Sequence, residues 1–423
     1  MRLTTLRQHL YHSTQLVLLT LFLSTSNSFA ASPDFQDFLF GACTTADPNS
    51  DFNTRCNIDS VGGDLSGDSE DSLVPTQSLA NGTNALAETR SRIKALRAKM
   101  QEERGEPGET EDSASSTDIK TTFGTSGISL LFNATDGNLE RLKTDLERGY
   151  ETTSTKIQLG LDYRINDDWM LGALLGWDRY DTRYDGAAPG RNFIPGDSEG
   201  SSNADNFNFS VFTTVVITDN VYVDALASYS SSNYTFRRIG LFQESTRSTP
   251  TIDVITAANT DGNQLALSIG TGWDKSYGAN LIQIYGRLGR FSSSVDPYSE
   301  TGGAGFAMSI ENKDSSETIA TAGFKFSRSI NTSFGVLVPQ IYAEYENALD
   351  SEVSRSLSSF VADASGTRFE TLGDTPDETS ARLGVAILGS FPDGWTGFIS
   401  VNKLSGNDYR EELRITAGIR VEL

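Results

Sequence analysis

The feature that most constrains this chain is a two-residue alternation of apolar and polar side chains that recurs from about residue 127 to residue 423. Successive side chains of a β-strand point to opposite faces, so the alternation predicts strands with one apolar face and one polar face. In the stretch RITAGIRVEL (414–423) every second residue is apolar: Ile415, Ala417, Ile419, Val421 and Leu423.

The lack of a long apolar run decides how such strands would meet a membrane. Outside the N-terminus no apolar run approaches the roughly 20 residues that a membrane helix needs. A chain of this kind enters a bilayer only as a closed β-barrel, in which the backbone groups pair between strands. We predict an all-β fold over 127–423, a 12-stranded antiparallel transmembrane barrel, with strands near 127–138, 157–165, 169–177, 207–217, 221–229, 265–273, 282–288, 320–326, 337–345, 383–391, 395–404 and 414–423.

The connections between these strands alternate in length. Those predicted to be short are 166–168, 218–220, 277–280, 330–333 and 392–394. Those predicted to be long are around 139–152, 182–205, 232–262, 293–315 and 348–378. Short turns at one end and long loops at the other are typical of outer-membrane barrels, whose long loops face the outside and whose short turns face the periplasm.

The N-terminus has the pattern of a secretory signal peptide. Arg2 and Arg7 precede the apolar run LVLLTLFL and a series of small residues, so residues 1–30 are predicted to be cleaved off. Both histidines, His9 and His12, lie in this stretch. A mature chain without histidine excludes Ser-His-Asp and Cys-His catalysis and histidine-ligated metal sites. We therefore predict no enzyme activity, no cofactor and no metal site.

Residues 31–78 are rich in Gly, Ser and Asp and only weakly patterned, which predicts a short polar segment with little core of its own. The segment contains two cysteines, Cys43 and Cys56, which in an exported protein are predicted to form a disulfide. The alternatives are two free thiols or zinc ligands, although the nearby sequence offers no further zinc ligands. The net charge of −22 argues against binding to nucleic acid phosphates.

Residues 79–126 are predicted to form a helix, up to about residue 104, and an acidic linker. Apolar residues with helical spacing form one narrow stripe: Leu79, Leu86, Ile93, Leu96 and Met100. The other positions are strongly basic although the chain as a whole is acidic. Two interpretations stay open at this point, a helix packed on a surface and a helix that lies against acidic groups inside a pore.

Several stretches resemble the C-terminal β-domain of bacterial autotransporters, the type V secretion family. They include GLDYRINDDWMLGALLGWDRYDTRYDG (160–186), LVPQIYAEYENALD (337–350) and RLGVAILGSFPDGWTGFISVNKLSGNDYREELRITAGIRVEL (382–423). The resemblance implies an outer-membrane barrel threaded by a helix that links it to an upstream segment at the cell surface. It also implies that the last strand is recognised by the barrel-assembly machinery, through Ile415, Ile419, Val421 and Leu423.

The same alternation predicts which charged side chains line the interior of the barrel: Lys156, Asp162, Arg164, Asp224, Asp274, Arg287, Glu344, Arg382, Arg414 and Arg420. The predicted function is to anchor or display the short N-terminal segment at the cell surface, with the helix as a plug. A surface adhesin that acts through its long loops and a pore for small solutes are the alternatives. The predicted partners are outer-membrane lipids, the barrel-assembly machinery and periplasmic chaperones, and the predicted state is a monomer.

Overall fold

The computed structural model describes residues 33–56, 73–104, 127–144, 146–186, 198–243, 251–391 and 395–422. The predicted signal peptide (1–30), the acidic linker and Leu423 lie outside the described residues. Three helices are described: α1 (Pro33–Thr45), α2 (Asp51–Cys56) and α3 (Gln77–Arg104). Among the described residues, no helix combines the length and the apolar character that a membrane crossing requires.

Eighteen strands follow the helices in the described part of the chain. They are β1 (Ile128–Arg141), β2 (Tyr150–Asn166), β3 (Trp169–Asp185), β4 (Ser198–Thr218), β5 (Val221–Gln243), β6 (Thr251–Tyr277), β7 (Asn280–Val295), β8 (Tyr298–Ser299), β9 (Thr301–Gly302), β10 (Met308–Ile310), β11 (Lys313–Arg328), β12 (Ile330–Thr332), β13 (Gly335–Ser351), β14 (Arg355–Phe360), β15 (Phe369–Leu372), β16 (Thr379–Phe391), β17 (Trp395–Ser405) and β18 (Arg410–Glu422).

Twelve of these strands form a closed antiparallel barrel, which confirms the predicted fold. The barrel strands are β1–β7, β11, β13 and β16–β18, and each pairs with its neighbours along the chain. Strand β11 joins β7 to β13. Strand β18 pairs with β1, from Ser129 opposite Glu422 to Arg141 opposite Arg410, so no edge is left unpaired.

The lower part of the barrel, toward the short turns, carries apolar side chains on its outside. In β2, Leu159 and Leu161 point outward and are each 51% exposed, whereas the alternate residues Lys156, Gln158 and Asp162 point inward and are buried. Because the pleat alternates with a period of two, a shift of one residue would turn every charge outward into lipid. The outer apolar band therefore fixes which side chains line the interior.

Strands β4, β5 and β6 are much longer than predicted, with 21, 23 and 27 residues. The predicted loops at 182–205 and 232–262 are wrong for this reason, because most of the described residues in these ranges continue the strands. At roughly 3.3 Å per residue, β6 is about 90 Å long, far more than a bilayer core of about 30 Å requires. The prediction failed because the alternation inverts here: Asn233 and Thr235 point outward, while Tyr234 and Phe236 are buried inside.

A second, small sheet lies at the long-loop end, where α1 and α2 pack against it. It contains β15, β14, β10 and β8 in that order. We call this unit the head: residues 33–56 and 73–76, the four short strands and the loop 303–307. Its core joins the N-terminal segment to the barrel loops through Phe35, Phe38, Leu39, Ala42, Cys43, Ala46, Phe52, Leu73, Val254, Phe306, Met308, Ile310 and Phe360. Residues 33–56 do not build this core alone, since the barrel loops supply its other half.

Candidate functional site: the helix inside the barrel

Helix α3 lies inside the barrel and is buried on nearly every described side. Leu79 is 0% exposed, and Glu88, Arg92 and Ile93 are each 1% exposed, although they point in different directions around the helix. A helix packed on a surface would leave one side in water. Of the predicted stripe, Leu79 and Ile93 are buried and Leu86 is partly buried, while the side chains of Leu96 and Met100 lie outside the described residues.

The N-terminal end of α3 lies at the long-loop end of the barrel. The Lys313 ammonium, at the start of β11, donates to the carbonyl oxygens of Ser78 (3.1 Å) and Leu79 (2.5 Å). The Ser78 hydroxyl donates to Ser356 Oγ in the head at 2.9 Å. From this end the helix runs into the barrel toward the short turns. The head and α3 are therefore linked directly, through residues 73–78.

Glu88 of α3 is the centre of one charged cluster. Its carboxylate contacts Lys156 Nζ of β2 at 2.6 Å and Arg414 Nη2 of β18 at 3.2 Å. Arg414 also pairs with Glu412, whose carboxylate receives hydrogen bonds from Arg382 at 3.1 and 3.2 Å. All of these side chains are less than 10% exposed. Two strands of the wall thus contribute cations to one helix carboxylate, and a third strand supplies Arg382 to the neighbouring Glu412.

Arg92 is the centre of a second cluster, on another side of the helix. Its Nε donates to Asp178 Oδ2 at 2.7 Å and its Nη2 lies 2.5 Å from the same oxygen. The hydroxyl of Tyr180 also donates to Asp178 Oδ2 (3.0 Å). One turn away, the Thr89 hydroxyl donates to Gln264 Oε1 of β6 at 2.7 Å. This side of α3 presents a cation to an acidic wall, the reverse of the Glu88 cluster.

A third group of contacts joins α3 to β11 and β13. Arg90 Nε lies 3.2 Å from Glu317 Oε1, and Arg90 Nη2 lies 3.6 Å from Glu346 Oε2. Lys94 also pairs with Glu346. Together the three groups surround the described part of the helix, so rotating or sliding α3 by one residue would separate charges on several strands at once.

The comparisons with known proteins agree with this architecture. A family model described as "Autotransporter beta-domain" matches residues 130–402, more than half of the chain. The chain belongs to the autotransporter β-domain family. Similar curated proteins are Outer membrane protein A of Rickettsia conorii, 25% identical over 303 residues, and Outer membrane protein B of Rickettsia rickettsii, 23% identical over 247 residues. The matches cover 67% and 56% of this chain but only 14% of each relative.

Two solved autotransporter structures have a similar fold. One is the translocator domain of NalP from Neisseria meningitidis, with a TM-score of 0.58, 13% identity and coverage of 81% of this chain and 98% of that one. The other is the transport unit of AIDA-I from Escherichia coli, with a TM-score of 0.51, 13% identity and coverage of 70% and 90%. At these identities the likeness concerns the fold alone. The family and its outer-membrane relatives place this autotransporter barrel in the bacterial outer membrane.

The structure places nine of the ten charged residues predicted for the barrel interior on its buried inner face: Lys156, Asp162, Asp224, Asp274, Arg287, Glu344, Arg382, Arg414 and Arg420. The tenth, Arg164, lies near a short turn and is only partly buried. Four of them also pair within the wall: Arg287 with Asp224, through a two-pronged contact, and Arg420 with Asp162 at 3.6 Å.

The sequence interpretation missed Glu88 and Glu412, which hold two of the interior arginines. Glu88 is the only acid among residues 77–101 of this basic helix, and its partner Arg414 is 326 residues away in the sequence. An acid at the centre of a basic helix was the only available signal. Cys43 is buried in the head and disulfide-bonded. The side chain of Cys56 lies outside the described residues, so its pairing with Cys43 stays a prediction.

Proposed function

We propose that this autotransporter barrel anchors its N-terminal segment at the cell surface as a folded head, with α3 as the plug of the pore. The observation that carries the proposal is the set of buried ion pairs between α3 and the barrel wall. Removing one partner of a buried pair leaves an uncompensated charge and costs about 3–5 kcal/mol. Several such pairs on different strands favour a helix that stays in place after assembly.

The contacts of the head support display rather than release of residues 33–76. Phe52 lies 4.7 Å from Phe360 and 5.4 Å from Phe306 between ring centroids, and Phe38 is stacked on Phe360 at 5.3 Å. The loop 303–307 also packs closely against Phe52. Gly305 in this loop has a φ of 101°, and a Cβ there would lie 2.6 Å from the backbone nitrogen of Phe52. Aromatic pairs of this kind add about 0.5–1.5 kcal/mol each beyond the area that they bury.

A buried ion pair also ties the head to the barrel. Arg238 of β5 pairs with Glu300 through two hydrogen bonds of 2.8 and 2.6 Å. The same guanidinium donates to the carbonyl oxygens of Phe306 (2.8 Å) and Leu73 (3.4 Å). One arginine therefore contacts the barrel loops and the chain just before α3. This arrangement supports a head that remains attached to the barrel.

The proposed partners follow from the two surfaces of the barrel. The outer apolar band suits outer-membrane lipids. We propose that strand β18, which closes the barrel against β1, carries the signal for the barrel-assembly machinery through Ile415, Ile419, Val421 and Leu423. Periplasmic chaperones would keep the unpaired strands apart before closure, because exposed strand edges pair with other chains. A closed barrel needs no second copy to complete it, which is consistent with a monomer.

The test is protease treatment of intact cells that carry an epitope tag between residues 57 and 72. We expect the tag to be lost while the barrel stays intact. The matched control carries the same tag in the short turn at Gly278, which should be protected until the outer membrane is permeabilised. Protection of the first tag on intact cells would overturn display. Loss of both tags would show that the membrane was damaged, and the treatment is then repeated at lower protease concentration.

A further inference from the structure

A cavity of about 200 Å³ lies at the long-loop end between α3 and the inner wall. Arg90 of α3, Arg141 of β1 and Arg410 of β18 line it, together with acidic residues of the loops. A cavity of this size is large enough for a small solute. No contact described above for the helix or the head uses Arg410.

Two arginines on neighbouring strands lie beside each other in the lining of this cavity. Arg141 of β1 is the cross-strand partner of Arg410 of β18. Arg141 is neutralised, since its Nη2 lies 3.1 Å from Glu147 and 2.5 Å from Asp374. Within the part of the chain that the structure describes, the Arg410 guanidinium makes no ion pair or hydrogen bond, and only its backbone N–H donates, to Asn407 Oδ1 at 2.8 Å.

A guanidinium in this position is suited to bind an anion. Like charges directly opposite each other on two strands are destabilising. Glu317 and Glu412 attract Arg410 and Arg90 repels it, but none of the three makes a hydrogen bond or ion pair with its guanidinium. A partly buried guanidinium without a direct contact loses hydration without gaining a hydrogen bond in return. A carboxylate matches the planar fork of its donors better than any neutral group. The free end of Arg410 is thus suited to the carboxylate of a bound molecule.

The rest of the lining argues that this molecule is not a simple anion. Four arginines and eight acidic residues line the cavity, so the lining is net acidic. Within the described residues, the carboxylates of Glu352 and Glu378 have no hydrogen bond or ion pair, and both are exposed. They offer sites for ammonium groups, whereas Arg410 offers a site for a carboxylate.

We propose that this cavity binds a small zwitterion with excess positive charge, of the class of basic amino acids and short basic peptides. Its carboxylate contacts Arg410 and its ammonium groups contact Glu352 and Glu378. The site is separate from the ion pairs that hold α3 and does not depend on display of the head. A failure of this proposal would therefore leave the proposed function unchanged.

The test compares two probes that differ by one group. L-lysine has a carboxylate, and cadaverine is the same molecule without it. Binding to the full chain, refolded in detergent, is measured by titration calorimetry at low salt. If Arg410 binds the carboxylate, L-lysine should bind at least tenfold more tightly than cadaverine. Substitution of Arg410→Gln should remove this preference, and Glu378→Gln should weaken both probes to a similar degree.

Arg290→Gln is the matched control, because Arg290 is an exposed arginine that does not line this cavity. It should leave the preference for L-lysine intact. Should Arg410→Gln fail to give a folded, heat-modifiable barrel, Arg410→Lys keeps the positive charge and is expected to reduce the preference only in part. Equal binding of the two probes, tighter binding of cadaverine, no binding of L-lysine, or an unchanged preference in either Arg410 variant would overturn the proposal.

Discussion

The lower barrel and the head bury the N-terminal part of this chain in opposite ways. In the lower barrel the outside is apolar and the inside is polar, and α3 is held there by ion pairs of Glu88 and Arg92. In the head the outside is polar, and α1 and α2 are held by aromatic side chains around Phe360. The difference follows from the surroundings, since lipid requires an apolar exterior and water a polar one.

Strands β5 and β6 show that the change from an apolar to a polar outer face needs no change of the backbone. Their ladder continues without interruption from Val221 opposite Trp273 to Gln243 opposite Thr251. Only the side chains change, from outward Leu265 and Leu267 to outward Asn259 and Asp261. The same hydrogen-bonded scaffold thus carries the outer apolar band at one end and supports the head at the other.

The largest effect is expected from the apolar core of the head. Phe52 is fully buried against Phe306 and Phe360. Phe52→Ala should destabilise the head by about 4 kcal/mol, the usual range for removing a buried aromatic ring. Limited proteolysis in detergent should then cleave the N-terminal segment while the barrel keeps its heat modifiability. Phe40→Ala is the control, because Phe40 is 73% exposed on α1 and should have no comparable effect. Loss of the barrel together with the head would contradict the separation of the two regions.

The next effect concerns the ion pairs that hold α3. Glu88→Gln leaves Lys156 and Arg414 without their carboxylate, which should destabilise the docked helix by about 3 kcal/mol. That energy corresponds to a roughly hundredfold increase in the population with a displaced helix. Planar bilayer recordings should show rare openings for the unsubstituted protein and frequent ones for the variant.

Glu140→Gln is the control for these recordings, since Glu140 is exposed on the outer face of β1 and lies outside the Glu88 cluster. Steady conductance of the unsubstituted protein would favour the small-solute pore instead of the plug. Equal opening frequencies in all three proteins would mean that Glu88 does not hold the helix.

A pair of matched substitutions tests the boundary between the two regions. Leu161→Arg places a charge on the lipid-facing surface of β2, where it should cost about 2–3 kcal/mol. Thr235→Arg places the same charge on the outward face of β5, beyond the outer apolar band, where it should cost little. Urea titration of the refolded barrel in lipid vesicles measures the free energy of unfolding of both variants. Similar effects at the two positions would show that the upper strands also contact lipid.

The two regions also differ in how far the sequence predicts them: the barrel strands are predicted and the head is not. The twelve barrel strands and the inward direction of residues such as Lys156 and Arg414 follow from a local period of two, so no knowledge of distant contacts was needed. The head depends on contacts between the N-terminus and loops more than 200 residues away, which no local pattern encodes. Even so, Phe35, Phe38, Leu39 and Ala42 have the i, i+3, i+4, i+7 spacing of a helix with one apolar side, a signal that the polar composition of the segment concealed.

The smallest effect is expected from a polar contact between α1 and the loop that joins β14 to β15. The Thr45 hydroxyl donates to Asp363 Oδ1 at 3.0 Å. Burial acts to raise the pKa of Asp363, but hydrogen bonds from Ser365 and Thr367 outweigh it and lower the pKa from 3.8 to about 2. Because the folded state has the lower pKa, this carboxylate stabilises the head above about pH 4, and the contribution is lost as the pH falls from 4 toward 2.

Asp363→Asn should therefore weaken the head slightly at neutral pH and reduce its further loss of stability between pH 4 and pH 2. Near-ultraviolet circular dichroism, followed across this range, reports the packing of the aromatic core and gives the difference between the two proteins. Other carboxylates titrate in both, so only the difference between the curves is informative. Parallel curves would mean that Asp363 has the same pKa in the folded and unfolded chain. In that case the aromatic side chains alone hold α1, and the contrast with the ion-paired α3 becomes sharper.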